Sequence, residues 1–327
     1  MVQYETSHGM SASMAPRHKH NARRRCAALV AVCMGAAWPA AAAPPLLLSL
    51  ARTGAVVLAV GDHGTILRSS DGGIHFTPCN SPTQATLTRV ALQPSGLAFA
   101  TGFDATILRS TDFGAHWLRV QNDERADNPL FGVVESAHGS ALAVGAFGRA
   151  YASVDGQHWQ RTDILPADDD SHMNDAISVS PGEWLVVGEQ ALAMASSDAG
   201  AHWKKIDLPG QGTLFGALAL TPEHWLVFGL RGHVMSTLDS GAHWQILDTG
   251  VSAELLGATA LRDGRAVIVG NRGAVIIVEP DLHTAHAVVQ PTRDNQADCL
   301  QLPDGTVIAV GEAGIVKLVI PHAPVAG

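Results

Sequence analysis

A glycine preceded by small and β-branched apolar residues returns along this chain at Gly61, Gly102, Gly145, Gly188, Gly229, Gly270 and Gly311, with gaps of 41 to 43 residues. That interval is the length of a four-stranded propeller blade, and seven anchors predict seven blades. In the second unit, Leu97–Gly102 reads as a short strand and Phe103-Asp104 as a tight turn. Thr106–Ser110 and His116–Val120 alternate in polarity as two further strands, and Leu87–Leu92 supplies the innermost one. Gly and Pro interrupt the chain too often for long helices. The expected fold is all-β, a seven-bladed β-propeller running from residue 44 to residue 327.

The first 43 residues differ in kind. A polar start is followed by Arg23-Arg24-Arg25, an apolar run from Cys26 to Trp38, and then Pro39 and four alanines. This order reads as a secretory signal peptide cleaved after Ala42 or Ala43, whose apolar run is too short to span a bilayer. The protein is therefore expected to be exported, periplasmic or lumenal, with no membrane insertion after cleavage. Without the leader, 16 basic and 29 acidic residues remain, a net −13. Such a surface disfavours nucleic acid and anionic lipid, leaving proteins as the expected partners. Two cysteines survive, Cys79 and Cys299; one is placed near a blade's outer edge and the other near the axis, which argues for separate thiols over a bridge.

Between the third and fourth strands a second motif recurs in phase with the glycines: Ser or Thr, any residue, Asp, any residue, Gly, two more, then an aromatic. It is intact in four units, Ser69–Phe76, Ser110–Trp117, Ser196–Trp203 and Thr237–Trp244, and one residue shorter at Ser153–Trp159. The sixth unit keeps only Asp281. A short carboxylate there can accept N–H groups of its own turn while Gly supplies a positive φ, so Asp71, Asp112, Asp155, Asp198 and Asp239 are read as structural. The recurrent His75, His116, His158, His202 and His243 are spread around the rim with them, and a metal centre needs converging ligands. No metal, cofactor or catalytic residue is assigned.

These motifs resemble the Asp-box or BNR repeats of sialidases, sortilin-like receptors and, most closely, the photosystem II stability and assembly factor family. That family's repeat is matched by Ala59-Val60-Gly61-Asp62-His63-Gly64 followed by Thr65–Gly73. The resemblance implies an exported seven-bladed propeller that acts without catalysis and holds subunits of a membrane complex, a photosystem in phototrophs and another envelope complex, such as an exporter, elsewhere. This chain departs from the family in one respect: its arginines are few and scattered where phototroph members are thought to present an arginine-rich patch. The alternative is a carbohydrate-binding or sialidase-like propeller, which requires a tyrosine nucleophile and three arginines. Tyr4 lies in the leader and Tyr151 in a third strand, which leaves no suitable nucleophile, although Arg52 could imitate one arginine of such a triad.

Second-to-third-strand turns and interblade links emerge on one face of a propeller, opposite the carboxylate turns. On that face the link 162–175 carries Asp168, Asp169 and Asp170, and the link 121–129 carries Asp123, Glu124, Arg125 and Asp127; together they are expected to form an acidic rim. Arg231 and Arg272 stand one repeat apart and are expected to form a cationic spot that grips carboxylates of a partner. The seventh repeat lacks a recognisable fourth strand, so either it has three strands or the tail His322–Gly327 supplies one.

Overall fold

The computed structural model describes residues 43–121, 128–136 and 139–321. Residues 1–42, which hold nearly all of the expected signal peptide, the link residues Asp123 to Asp127 and the tail His322–Gly327 lie outside them. The seven repeats form seven antiparallel sheets, each in plain sequence order. Blade 1 comprises Leu47–Thr53, Val56–Gly61, Ile66–Ser69 and Thr77–Pro78. The innermost strands of the next five blades are Leu87–Leu92, Leu130–Glu135, Met173–Ser180, Leu214–Ala219 and Leu255–Ala260. Blade 7 has three strands among the described residues: Gln296–Gln301, Val307–Gly311 and Gly314–Lys317.

Each innermost strand packs beside the next, and that of blade 7 packs beside that of blade 1, which closes the ring. Second strands such as Ala141–Gly145 and Ala266–Gly270 are buried along their whole length. Both faces of every blade are covered by neighbours, so these strands read as continuous apolar runs and not as alternating ones. The core is accordingly divided into interblade clusters, for example Leu58, Val60, Leu87, Ala100 and Trp117 between blades 1 and 2. Among the described residues there is no α-helix, only short 3-10 turns such as Asp62–Gly64 and Leu230–Gly232.

Close approach explains the anchoring glycines. A Cβ on Gly61 would stand 2.0 Å from the Leu46 carbonyl oxygen, and one on Gly270 would stand 1.9 Å from that of Glu254. The same carbonyls accept the next residue's N–H, Asp62 to Leu46 at 3.0 Å and Asn271 to Glu254 at 2.9 Å. Any side chain at the anchor would push the second strand off the link that enters its blade.

Cys79 and Cys299 are both free thiols, Cys299 buried in an innermost strand and Cys79 half-buried beyond the fourth strand of blade 1.

Candidate functional site

The two faces of the ring are built differently. On one, the turn of each intact motif satisfies itself. Ser110 Oγ accepts the N–H of Gly114 at 3.0 Å and donates to Asp112 Oδ1 at 2.8 Å, which also accepts the N–H of His116 at 2.9 Å. Asp112 Oδ2 lies 2.6 Å from Nδ1 of His116. Asp71, Asp198 and Asp239 repeat this pattern with His75, His202 and His243. The His202 amide, then its ring and the Ser196 hydroxyl, hold the Asp198 carboxyl at about 2. The tryptophan that follows donates its indole N–H to the turn glycine's carbonyl, Trp117 to Gly114 at 2.9 Å and Trp244 to Gly241 at 3.0 Å. In the shortened turn of blade 3, Asp155 still accepts from His158, but the buried indole nitrogen of Trp159 has no partner among the described residues. Blade 6 keeps the carboxylate alone: Asp281 Oδ1 accepts from the amides of His283 and Thr284. Each imidazole pairs with its own carboxylate, and no group of three or more ligand side chains converges among the described residues.

The opposite face carries the second-to-third-strand turns. Their tip residues are His63, Asp104, Phe147, Gln190, Arg231 and Arg272, all at φ between 50° and 59°. That left-handed region favours glycine, yet six non-glycine residues of five kinds occupy it. Arg231 and Arg272 hold equivalent tips on blades 5 and 6. Beside Arg272, Asn271 Nδ2 donates to Glu254, Asn295 Oδ1 accepts the Arg272 amide while Asn295 Nδ2 donates to Glu312, and Arg293 lines the same cavity, so this arginine rises from a surface of mixed charge. Asp168, Asp169 and Asp170 belong to the link that braces the blade 3 tip, where Gly148 N–H donates to Ser171 O at 3.1 Å. The Ser171 side chain, and then its amide, which Asp169 accepts at 3.0 Å, lower the Asp169 carboxyl. No hydrogen bond or ion pair joins these aspartates to Arg231 or Arg272 among the described residues. Beside the acidic link, Phe147 is 54% exposed and meets His172 edge-on at 4.8 Å, and Phe103 on the next tip is 45% exposed.

Sequence reasoning missed a third set of residues, at the axis. At one position of every innermost strand, next to a bulge, stand Ser49, Arg89, Gly132, Asp175, Gly216, Gly257 and Asp298. Where the side chain there is a hydroxyl or a carboxylate, it accepts an N–H of the following blade. Asp298 Oδ2 accepts that of Leu50 at 2.9 Å, Ser49 Oγ that of Val90 at 3.2 Å, and Asp175 Oδ2 that of Ala217 at 3.3 Å. Arg89 reaches past blade 3 to Asp175 at 3.0 Å, over Gly132, whose Cβ would come within 2.7 Å of the Ala176 nitrogen. Burial raises the carboxyls of both Asp175 and Asp298, against the pull of Arg89. The signal was present as three glycines and three charged residues at one phase of the repeat, but only the partners across blades give it meaning.

Beside this axial ring, Arg52, Arg89 and Arg262 line a cavity of about 400 Å³ between blades 1, 2, 6 and 7. Arg52 donates to Gly54 O and Arg262 to Pro303 O, each within the hairpins at the mouth. Tyr151 is elsewhere, buried in the third strand of blade 3 among Phe99 and Ala143.

The fold and its repeated turns define a seven-bladed β-propeller of BNR type. Residues 131–277 match the model of the family described as Photosynthesis system II assembly factor YCF48. That match takes in just under half of the chain, which over this part resembles a photosystem II assembly factor. Among solved structures it is similar to YCF48 bound to D1 peptide, at 18% identity over 86% of this chain and 95% of that one, with a TM-score of 0.67. It is also similar to YCF48 from Cyanidioschyzon merolae, at 13% identity over 85% and 96% with a TM-score of 0.68, and to a streptogramin B lyase, at 12% over 86% and 95% with a TM-score of 0.73. At these identities the likeness concerns the fold alone. No curated protein matches.

Proposed function

We propose that this protein is an exported, non-enzymatic propeller that holds a subunit of an envelope membrane complex during its assembly, and that it does so with the face bearing the strand-two turns. One observation carries the reading. Six tips keep non-glycine side chains in a backbone region that costs about 1 kcal/mol per residue for them, so the identity of those side chains is worth more to this chain than an unstrained turn. A similar propeller, YCF48, is bound to a D1 peptide, which supports a protein segment as the ligand class. Arg231 and Arg272 supply guanidinium forks for carboxylates of that segment, and Asp168 to Asp170 with Asp104 supply the acidic counterpart.

The test is crosslinked capture from the native envelope with the full chain and with Arg231→Glu/Arg272→Glu. Recovery of a membrane-complex subunit should fall about tenfold in the double variant. Equal recovery by a variant with an unchanged circular dichroism spectrum removes the two arginines from the site.

The glycan reading has one observation in its favour, the three arginines around the axial cavity. Arg89 is already matched by Asp175, and the tyrosine such chemistry requires is not beside them. Sialidase activity lost in Arg262→Ala would establish that reading in place of ours.

A further inference from the structure

Six blades end on a fourth strand, whereas among the described residues blade 7 ends on its third. Fourth strands such as Thr77–Pro78, Gln160–Thr162 and Lys204–Lys205 span two or three residues and carry proline or charge, the devices by which sheets discourage further pairing. In blade 7 the outermost described strand is Gly314–Lys317, one position nearer the axis. Its inward ladder uses Gly314, Val316 and Leu318, with the Leu318 N–H donating to Val307 O at 2.9 Å. In an antiparallel ladder the alternate residues, Ile315 and Lys317, therefore turn their N–H and C=O groups outward.

The chain itself leaves this edge. Val319 N–H donates to Gln290 Oε1 and Gln290 Nε2 donates to Val319 O, both at 3.0 Å, while Arg265 Nη1 donates to Pro321 O at 3.0 Å. Leu318 to Pro321 are thus drawn onto blade 6. On the blade 1 side Ile315 is half-buried with Leu67 and Phe76; on the blade 6 side Val316 and Leu318 are half-covered beside Val288. Between blades 6 and 7 a cavity of about 140 Å³ is lined by Val316, Lys317 and Gln296. Gln296 is only 4% exposed, and its Oε1 has no hydrogen-bond partner among the described residues.

We propose that the outer edge of Gly314–Lys317 is a strand-addition site for an extended segment of a partner protein. Apolar side chains of that segment alternate onto Ile315 and Val316, an acidic residue faces Lys317, and a donor serves Gln296. The partner class rests on the reading above, but this surface is distinct from the strand-two tips. Main-chain hydrogen bonds to Ile315 and Lys317 give affinity, and the flanking apolar groups give register. A second copy of this chain is the poorer occupant, since without the first 43 residues both copies carry a formal net −13.

The experiment uses the full chain and a fluorescein-labelled peptide that alternates threonine and valine around one aspartate, read by anisotropy. The peptide should bind and should protect the amides of Ile315 and Lys317 from hydrogen exchange. Methylating its alternate backbone nitrogens, or the substitution Ile315→Pro, should weaken binding about tenfold. Ile315 gives no N–H to the inward ladder, so that variant keeps its sheet; Lys317→Glu, expected to lose severalfold, tests the site with no backbone change. Equal binding of the methylated peptide overturns the proposal. So does binding that arises only once residues 322–327 are removed, which makes the chain's own tail the occupant, or a concentration-dependent dimer that Ile315→Pro abolishes. Loss of peptide binding with envelope capture intact defeats this site alone, whereas lost capture with intact peptide binding at blade 7 defeats the role of the arginine tips.

Discussion

Carboxylates at the rim and carboxylates near the axis are the same chemical group in opposite situations. Asp239 at the rim is held at about 2, first by the His243 ring and then by its amide, with water close by. Glu135, at the end of an innermost strand, is pushed up to about 8 by burial, and Asp175 and Asp298 are raised for the same reason. The rim repeats one solution because each turn finds its partners within four residues. The axis varies because each side chain must suit a neighbouring blade: Ser49, Arg89, Asp175 and Asp298 differ so that together they close one ring.

The largest effect should come from cutting that ring. Arg89→Ala leaves Asp175 buried without its cation, and breaking such a pair costs about 3 kcal/mol or more. Denaturant unfolding should show the loss as a lower midpoint. A smaller loss than that of a rim serine variant would mean that the Arg89–Asp175 pair does not hold the blades together.

Titration separates the two regions next. A rim carboxyl has a folded value below its unfolded one, so its contribution is complete above about 3.9 and is lost as the pH falls through about 2. Glu135 has the reverse sign. Its folded state keeps a proton that the unfolded chain gives up near 4.3, so stability declines as the pH rises from there to about 8, at no more than ~1.4 kcal/mol per pH unit. Glu135→Gln should remove this decline and leave the acid limb in place. Melting temperatures from pH 2 to pH 9 measure both, and an unchanged slope between pH 5 and pH 8 in the variant would refute the assignment.

The same contrast governs what could be read before any coordinates. Asp112 and His116 are four residues apart, so local spacing revealed the turn. Arg89 and Asp175 are 86 residues apart and Ser49 and Asp298 are 249 apart, and only ring closure makes them neighbours. The seven blades and the three-stranded possibility for the last were legible for the first reason. On the face of the strand-two turns, the positions of Arg231 and Arg272 followed from the repeat, whereas the acidic groups of the neighbouring links did not. Glu254 and Glu312 enter from an innermost-strand link and a neighbouring blade's turn, at no fixed distance from either arginine. The left-handed tips were equally hidden, because Phe147 or Arg231 in that conformation contradicts local preference.

Within the rim itself, the smallest effects test whether each turn is its own unit. Ser110→Ala strips the acceptor from the Gly114 and Asp112 amides and should cost about 1–2 kcal/mol. Trp117→Phe removes an indole N–H that is bonded to Gly114 O, whereas Trp159→Phe removes one that has no partner. The shortened turn of blade 3 keeps Trp159 for its edge-on contact with Phe99 at 5.5 Å, which a phenyl ring can preserve. Trp159→Phe should therefore be nearly neutral, and Trp117→Phe should be worse by about 1 kcal/mol. Equal losses at the two sites would show that the missing residue in blade 3 leaves the indole's bonding unchanged, and that the turn's length and its hydrogen bonds are independent.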